Sequence, residues 1–435
     1  MSLAEESSLL QGDGRGASWK TSAWAVSAAF GTYFCMYAFR KPFTAASYAG
    51  QSWLGLDYKV VLVIAQVLGY AISKFVGIKV VSEAKATTRV VTLLGLIGAA
   101  EAALLLFALT PAPYNVFWIF VNGLPLGMVF GLVMGFLEGR RQTEALAAGL
   151  CVSFIVADGA VKSAGAALLS AGVAEVWMPF LTGLMFTPPL LVFAWMLNRI
   201  PAPTEADVAA RSERTPMSGV ERRSFFRRYA PGLVLLVTVY LLITVLRSVR
   251  ADFAPEVWRG LQGEVPAGTF ARSEAAVGLG VILLSGSAVL IRDNRRAFGY
   301  AMVLSVAGAL LMAAALVCQG RGLISPFSFM VLHGMGMYLP YIAVHTTILE
   351  RLIAMTRDRG NMGYLMYLCD SFGYLGYVGV LLARQAVSPE GDFLKHFVGL
   401  SWVVLTASVV LLIPCWRYFL RHEATRRVSV LGGVG

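Results

Sequence analysis

The chain has 435 residues, of which 57% are hydrophobic and only 14% are charged. A soluble domain carries about a quarter charged residues, so this composition excludes an ordinary soluble protein. The formal net charge of +11 is spread over many short polar clusters, which argues against a nucleic-acid-binding surface. Apolar runs of about 18 to 28 residues separate these clusters, and each is long enough to cross a bilayer. The composition therefore predicts an all-α, multi-pass membrane protein.

Twelve apolar runs are predicted as transmembrane helices, at about 22–48, 58–82, 88–110, 113–139, 144–172, 176–199, 229–251, 273–292, 297–318, 325–352, 360–385 and 396–420. Lys and Arg are concentrated in alternate loops, which the positive-inside rule places in the cytoplasm together with both termini. The opposite loops hold only scattered cations such as Lys59 and Arg259. We expect an integral protein of a cytoplasmic (inner) membrane or a plasma membrane.

A polar segment rich in proline, serine and charge divides the chain into two groups of six spans. This organisation predicts five regions: a cytoplasmic tail at 1–21, a six-helix bundle at 22–199, a cytoplasmic linker at 200–228, a second six-helix bundle at 229–420 and a cytoplasmic tail at 421–435. The first residues are polar and lack the basic-then-apolar order of a cleaved signal peptide.

The five cysteines lie within or at the ends of apolar runs, and none has metal-binding or redox spacing. No ATP-binding motif and no catalytic constellation is visible. We therefore expect no cofactor, no metal and no enzymatic activity.

The first spans of the two halves resemble each other. Each carries two hydroxyl-bearing side chains and an arginine at positions i, i+4 and i+7, which lie on one helix face: Tyr33, Tyr37 and Arg40, and then Tyr240, Thr244 and Arg247. Charges inside membranes are expensive and mark functional sites, although an arginine near a helix end can also extend to the headgroups. Related halves are typical of transporters that bind their substrate at the interface of the halves.

The run Tyr33-x-x-x-Tyr37-x-x-Arg40-Lys41-x-Phe43 resembles the first-helix signature of the organophosphate:phosphate antiporters, which transport sugar phosphates and glycerol-3-phosphate. Further stretches that resemble this family lie at 69–77, 246–255, 338–350 and 371–376. The resemblance implies the major facilitator fold, with two pseudo-symmetric bundles of six helices. It also implies a secondary transporter that moves a small phosphorylated or otherwise anionic metabolite by alternating access. We expect the protein to be a monomer.

The resemblance assigns the phosphate to Arg40 and Arg247, and further positive charge to Lys74. The predicted substrate site also includes Tyr33, Tyr37, Lys41, His345 and Tyr374 of the matched segments, and Tyr240 of the repeated pattern. A phosphate monoester is roughly dianionic near pH 7, and two guanidiniums from opposite halves can each bind it bidentately. His345 shares a polar stripe with Tyr338 and Tyr341, so a packing role is the alternative for this residue. Arg250 is interpreted as an interfacial anchor.

Three ionisable residues depart from the family pattern. Asp158 stands where the family has a histidine, and Lys162 follows one turn later, so the two form either a structural ion pair or a coupling site. Asp370 is a proton-binding carboxylate, a partner of Lys74 or Arg247, or an acceptor for a substrate group. Exchange against phosphate and symport with a proton both stay open as mechanisms. The alternative function is a non-transporting sensor or partner-binding protein on the same fold.

Overall fold

A computed structural model describes residues 3–83, 88–137, 143–201, 219–287, 291, 293–356, 362–387 and 392–431. Most of the predicted linker lies outside the described residues, as do parts of four predicted cytoplasmic loops and the outermost ends of both tails. The boundaries predicted for the five regions therefore stay a prediction.

Long apolar segments fold as helices because only a helix satisfies its own backbone hydrogen bonds within a bilayer. In the N-terminal half, the helices follow one another as α1 (Leu3–Met36), α2 (Tyr58–Glu83), α3 (Arg89–Leu109), α4 (Val116–Leu126), α5 (Val129–Leu137), α6 (Thr143–Ser170) and α7 (Met178–Asn198). Two short antiparallel strands, β1 (Ser52–Trp53) and β2 (Leu56–Asp57), form a hairpin before α2.

The C-terminal half repeats this organisation. Its helices are α8 (Gly219–Asp252), α9 (Ala254–Gln262), α10 (Gly268–Gly286), α11 (Asn294–Gly320), α12 (Pro326–Ala343), α13 (Leu349–Thr356), α14 (Met362–Val387) and α15 (Phe393–Leu431). Within the described residues, each of the twelve predicted spans coincides with a helix or an interrupted helix, and eight segments are long and apolar enough to cross a membrane. The predicted all-α membrane fold is confirmed.

The first span is not the single helix predicted for 22–48. The α-helix ends at Met36, and two 3₁₀ turns follow at Tyr37–Phe39 and Pro42–Ala45. Pro42 lacks a backbone N–H, so it cannot donate the hydrogen bond to the carbonyl oxygen of Ala38 that a continuing α-helix would need. The chain therefore leaves the α-helix before Arg40, although the rings of Tyr33 and Tyr37 still meet at 5.7 Å.

Two further spans are interrupted at corresponding positions of the two halves. The fourth span is divided into α4 and α5, with Pro125 just before the break. The tenth span carries Pro340 and then a π-helical turn at Val344–Ile348, which joins α12 to α13. Such breaks free backbone groups, and the π turn exposes a different set of side chains to the interior than a regular helix would.

Helices α2 and α4 pack at backbone distance through glycine. A Cβ atom built on Gly69 would lie 2.2 Å from the carbonyl oxygen of Phe120, and one on Gly123 would lie 2.4 Å from the carbonyl oxygen of Gln66. Small residues permit this close approach between membrane helices. Contacts between the halves are made chiefly by α6 with α10 and by α2 with α14.

Replacing Gly123 by valine tests this packing. Since the new side chain would overlap backbone atoms that cannot move independently, we expect Gly123→Val to lower the apparent Tm of the detergent-purified protein by several degrees. Gly98→Val is the matched control, because Gly98 lies mid-helix in α3 with open space around its Cβ position. Equal Tm values for the two variants would contradict the packing.

Candidate functional site

A closed cavity lies between the two halves at the level of Arg40 and Arg247. Helices from both halves contribute its walls, and the open space at its centre is about 10 Å³, room for about one water molecule. Its polar lining consists of Tyr37, Arg40, Lys41, Asp158, Arg247, Ser248, Asp252, Tyr338, Tyr374 and Tyr377. The two halves are therefore closed around a polar centre.

Arg40 lies on the N-terminal side of the cavity and its guanidinium covers an aromatic ring. The guanidinium carbon is 3.7 Å from the centroid of the Tyr70 ring and 5.9 Å from that of Tyr37. The backbone of this segment is fixed by two amides: Gln66 Nε2 donates to the carbonyl oxygen of Arg40 at 2.6 Å, and Asn122 Nδ2 donates to that of Phe39 at 2.9 Å. Arg40 is therefore held inside the bundle and does not extend to the headgroups.

Arg247 lies on the C-terminal side in a similar arrangement. Its guanidinium carbon is 4.8 Å from the centroid of the Tyr341 ring. In the described part of the chain, the Nε atoms of Arg40 and Arg247 are buried without a hydrogen-bond acceptor, and no carboxylate lies within ion-pair distance of either guanidinium. Cation–π contacts are their electrostatic compensation.

The other interior cations are paired. Each has a nitrogen in contact with a carboxylate oxygen. The nitrogen–oxygen distances are 2.6 Å for Lys59–Glu256, 2.8 Å for Lys74–Asp370, 2.5 Å for Lys162–Asp158 and 2.8 Å for Arg250–Glu274, and Lys41 contacts Asp252. Buried ions usually require such partners. Because these pairs cancel, the excess positive charge of the centre belongs to Arg40 and Arg247.

Lys41 and Asp252 connect the two halves on the side that the topology predicts to be outside. We call this contact the outer pair. Tyr377 Oη donates to the second carboxylate oxygen of Asp252 at 2.9 Å. Lys41, predicted to bind substrate, does line the cavity, but its ammonium group is occupied by Asp252.

Lys74 and Asp370 connect the halves nearer the predicted cytoplasmic side, since Asp370 lies seven residues, or about two helical turns, before Tyr377 on α14. We call this contact the inner pair. Tyr240 Oη donates to the second oxygen of Asp370 at 2.5 Å, and His345 Nε2 lies 3.4 Å from the same hydroxyl. Of the partners considered for Asp370, the structure therefore selects Lys74.

The remaining predicted residues divide between the cavity and its surroundings. Asp158 lines the cavity and pairs with Lys162, which is 1% exposed and lies on the same helix. Tyr374 lines the cavity and packs edge-on against Tyr70, with 5.3 Å between ring centroids. Tyr33 lies behind the cavity, between Tyr37 and Phe130.

Several side chains of this centre were missed in the sequence. Tyr70 lies one turn before Lys74 on α2, and Tyr377 lies seven residues after Asp370 on α14, so helical periodicity from the predicted residues points to both. The interpretation of Arg250 as an interfacial anchor is wrong. Arg250 is 2% exposed, pairs with Glu274 and donates to the carbonyl oxygen of Met330 at 2.9 Å, so its guanidinium lies in the protein interior.

Comparison with solved structures identifies the fold. The nucleoside transporter NupG superposes with a TM-score of 0.60 at 12% identity, covering 92% of this chain and 100% of that one. A D-xylose–proton symporter superposes with a TM-score of 0.60 at 13% identity, covering 91% of this chain and 97% of that one. A bacterial homologue of the human lysosomal transporter Spinster superposes with a TM-score of 0.57 at 12% identity, covering 93% of this chain and 97% of that one. The chain is an integral multi-pass membrane protein with the major facilitator fold.

Residues 42–422 match the family described as "Family of unknown function (DUF5690)", and the chain belongs to that family. A comparison with curated proteins finds no similar sequence. These findings establish the fold and leave the resemblance to organophosphate:phosphate antiporters a prediction.

The outer pair is tested by removing its cation. Lys41→Met leaves Asp252 buried without a counter-ion, a change that costs about 3–5 kcal/mol in a protein interior. We therefore expect a clearly lower apparent Tm for Lys41→Met, and a partial recovery when Asp252→Asn is added. Lys395→Met is the control, since Lys395 is exposed and lies 3.9 Å from Asp392. Additive losses in the double variant would contradict a coupled pair.

Proposed function

We propose that this protein is a secondary transporter of a small organic anion, with Arg40 and Arg247 as the two groups that bind the anionic part. The observation that carries the proposal is the lack of a carboxylate partner for either guanidinium within the described residues, in a centre where the other interior cations are paired. A guanidinium in a low-dielectric interior that has aromatic rings but no carboxylate beside it attracts an anion strongly.

The position of the two arginines supports transport. Arg40 belongs to the N-terminal half and Arg247 to the C-terminal half, and both line one cavity. An anion bound by both draws the halves together, as alternating access around a fixed site requires. The similar solved structures include transporters of a nucleoside and of D-xylose with a proton, which supports transport as the activity.

The substrate class that we propose is a dianion such as a phosphate monoester. Two guanidiniums match two negative charges, and their planar N–H groups can bind phosphate oxygens bidentately. The phenol rings of the lining, among them Tyr37, Tyr338 and Tyr374, offer hydroxyl groups and apolar faces to the body of the molecule.

Ligand binding is tested by thermal shift of the purified protein with inorganic phosphate, glycerol phosphate and uncharged glycerol. We expect the two anions to raise the apparent Tm and glycerol to have no effect, since only an anion compensates the guanidiniums. Arg40→Gln and Arg247→Gln should each weaken anion binding by about 10- to 100-fold, the value of a charge-assisted hydrogen-bonded contact. Arg259→Gln is the control, because Arg259 is exposed on α9.

Flux separates a transporter from a binding protein. Proteoliposomes loaded with phosphate should take up labelled phosphate, and Arg40→Gln should abolish the uptake. Stabilisation by anions without any flux would favour a sensor on the same fold. Equal thermal shifts for wild type and both arginine variants would overturn the proposed anion site.

A further inference from the structure

The inner pair crosses the interface between the halves. Lys74 belongs to α2 of the N-terminal half, whereas Asp370 and the hydroxyl of Tyr240 that binds it belong to α14 and α8 of the C-terminal half. Any opening of the cytoplasmic side that separates the halves therefore moves Lys74 away from Asp370. The Asp158–Lys162 pair differs, since both residues lie on α6 and stay together.

Opening would leave Asp370 with the partners of its own half. Tyr240 still donates to Oδ1, and His345 lies 3.4 Å from the Tyr240 hydroxyl, with its other ring nitrogen 3.3 Å from the carbonyl oxygen of Tyr341. Asp370 is 7% exposed and His345 is 8% exposed. A carboxylate that loses its counter-ion in such surroundings is neutralised most simply by a proton.

The other titratable groups that face Asp370 do not replace Lys74. From α2 the phenol of Tyr70 faces it, and from the C-terminal half those of Tyr341 and Tyr374. The thiols of Cys151 on α6 and Cys369 on α14 complete its surroundings. None of these is a cation near neutral pH, and Arg247, which faces His345 from α8, covers the Tyr341 ring.

We propose that Asp370 is a proton-binding site at which Lys74 and a proton compete, so that separation of the halves on the cytoplasmic side is coupled to proton uptake. As Lys74 Nζ leaves Asp370 Oδ2, a proton from cytoplasmic water binds to that carboxylate. When the halves close again, the ammonium group returns and the proton is released. The coupling between proton uptake and separation of the halves is a property of the conformational change alone. Its role in transport rests on the proposed function.

Spin-label distances across the cytoplasmic ends of the two halves test this proposal without any substrate. Labels on Thr88→Cys and Arg296→Cys report the separation, since both positions are exposed and belong to opposite halves. Four native cysteines are buried, and Cys318→Ala removes the fifth. We expect acidification from about pH 8 to about pH 5.5 to increase the long-distance population severalfold.

Two variants that each remove one partner make the test decisive. Asp370→Asn removes the proton site, so its distance distribution should be the same at both pH values. Lys74→Gln removes the competitor, so Asp370 can keep its proton in both arrangements: the distances should lose their pH response, while infrared difference spectroscopy should show the protonated Asp370 carboxyl group persisting to higher pH than in the wild type. Asp392→Asn is the control and should respond like the wild type, because Asp392 is exposed and takes no part in the interior pairs.

A wild-type pH response of the distances in Asp370→Asn or in Lys74→Gln would overturn the proton site. Neither outcome affects the proposed anion site, which is measured separately by the phosphate thermal shift of Arg40→Gln and Arg247→Gln. A failed phosphate response with an intact pH response would reject the anion site and retain the proton site.

Discussion

The structure depends on how its interior charges are neutralised in a low-dielectric bundle. Among the residues that the structure describes, five interior cations have a carboxylate within contact distance, and three of these pairs, Lys41–Asp252, Lys59–Glu256 and Lys74–Asp370, connect the two halves. The same ionic contacts that stabilise the closed arrangement therefore also join the parts that the proposed transport would have to separate. Arg40 and Arg247, whose guanidiniums lie over aromatic rings, have no carboxylate partner in the described part of the chain and define the centre between them.

The inner and outer pairs have the same composition. In each, a lysine of the N-terminal half contacts an aspartate of the C-terminal half, and a tyrosine of that half donates to the second carboxylate oxygen: Tyr377 for Asp252 and Tyr240 for Asp370. The tyrosine keeps each aspartate hydrogen-bonded when the lysine leaves. The pairs differ in one neighbour, since His345 lies beside the inner tyrosine.

Much of this organisation could be predicted from the sequence. Run length identifies the spans because bilayer thickness fixes the length of a crossing helix, and internal repetition identifies Arg40 and Arg247 as equivalent. The local break after Met36 was not predicted, because hydropathy identifies a segment that crosses the bilayer but does not show its backbone conformation. The burial of Arg250 depends on Glu274, which lies on another helix, so nothing near Arg250 in the chain indicates it.

The two amides behind Arg40 also have a mechanical consequence. Asn122 donates to carbonyl oxygens of both Phe39 and Ala100, and Gln66 donates to that of Arg40 and to Asn122 Oδ1. The first four spans are thus tied together behind the guanidinium, which becomes a rigid extension of its half. Substitution of Asn122 or Gln66 would therefore shift the position of the Arg40 guanidinium without replacing any residue that lines the cavity.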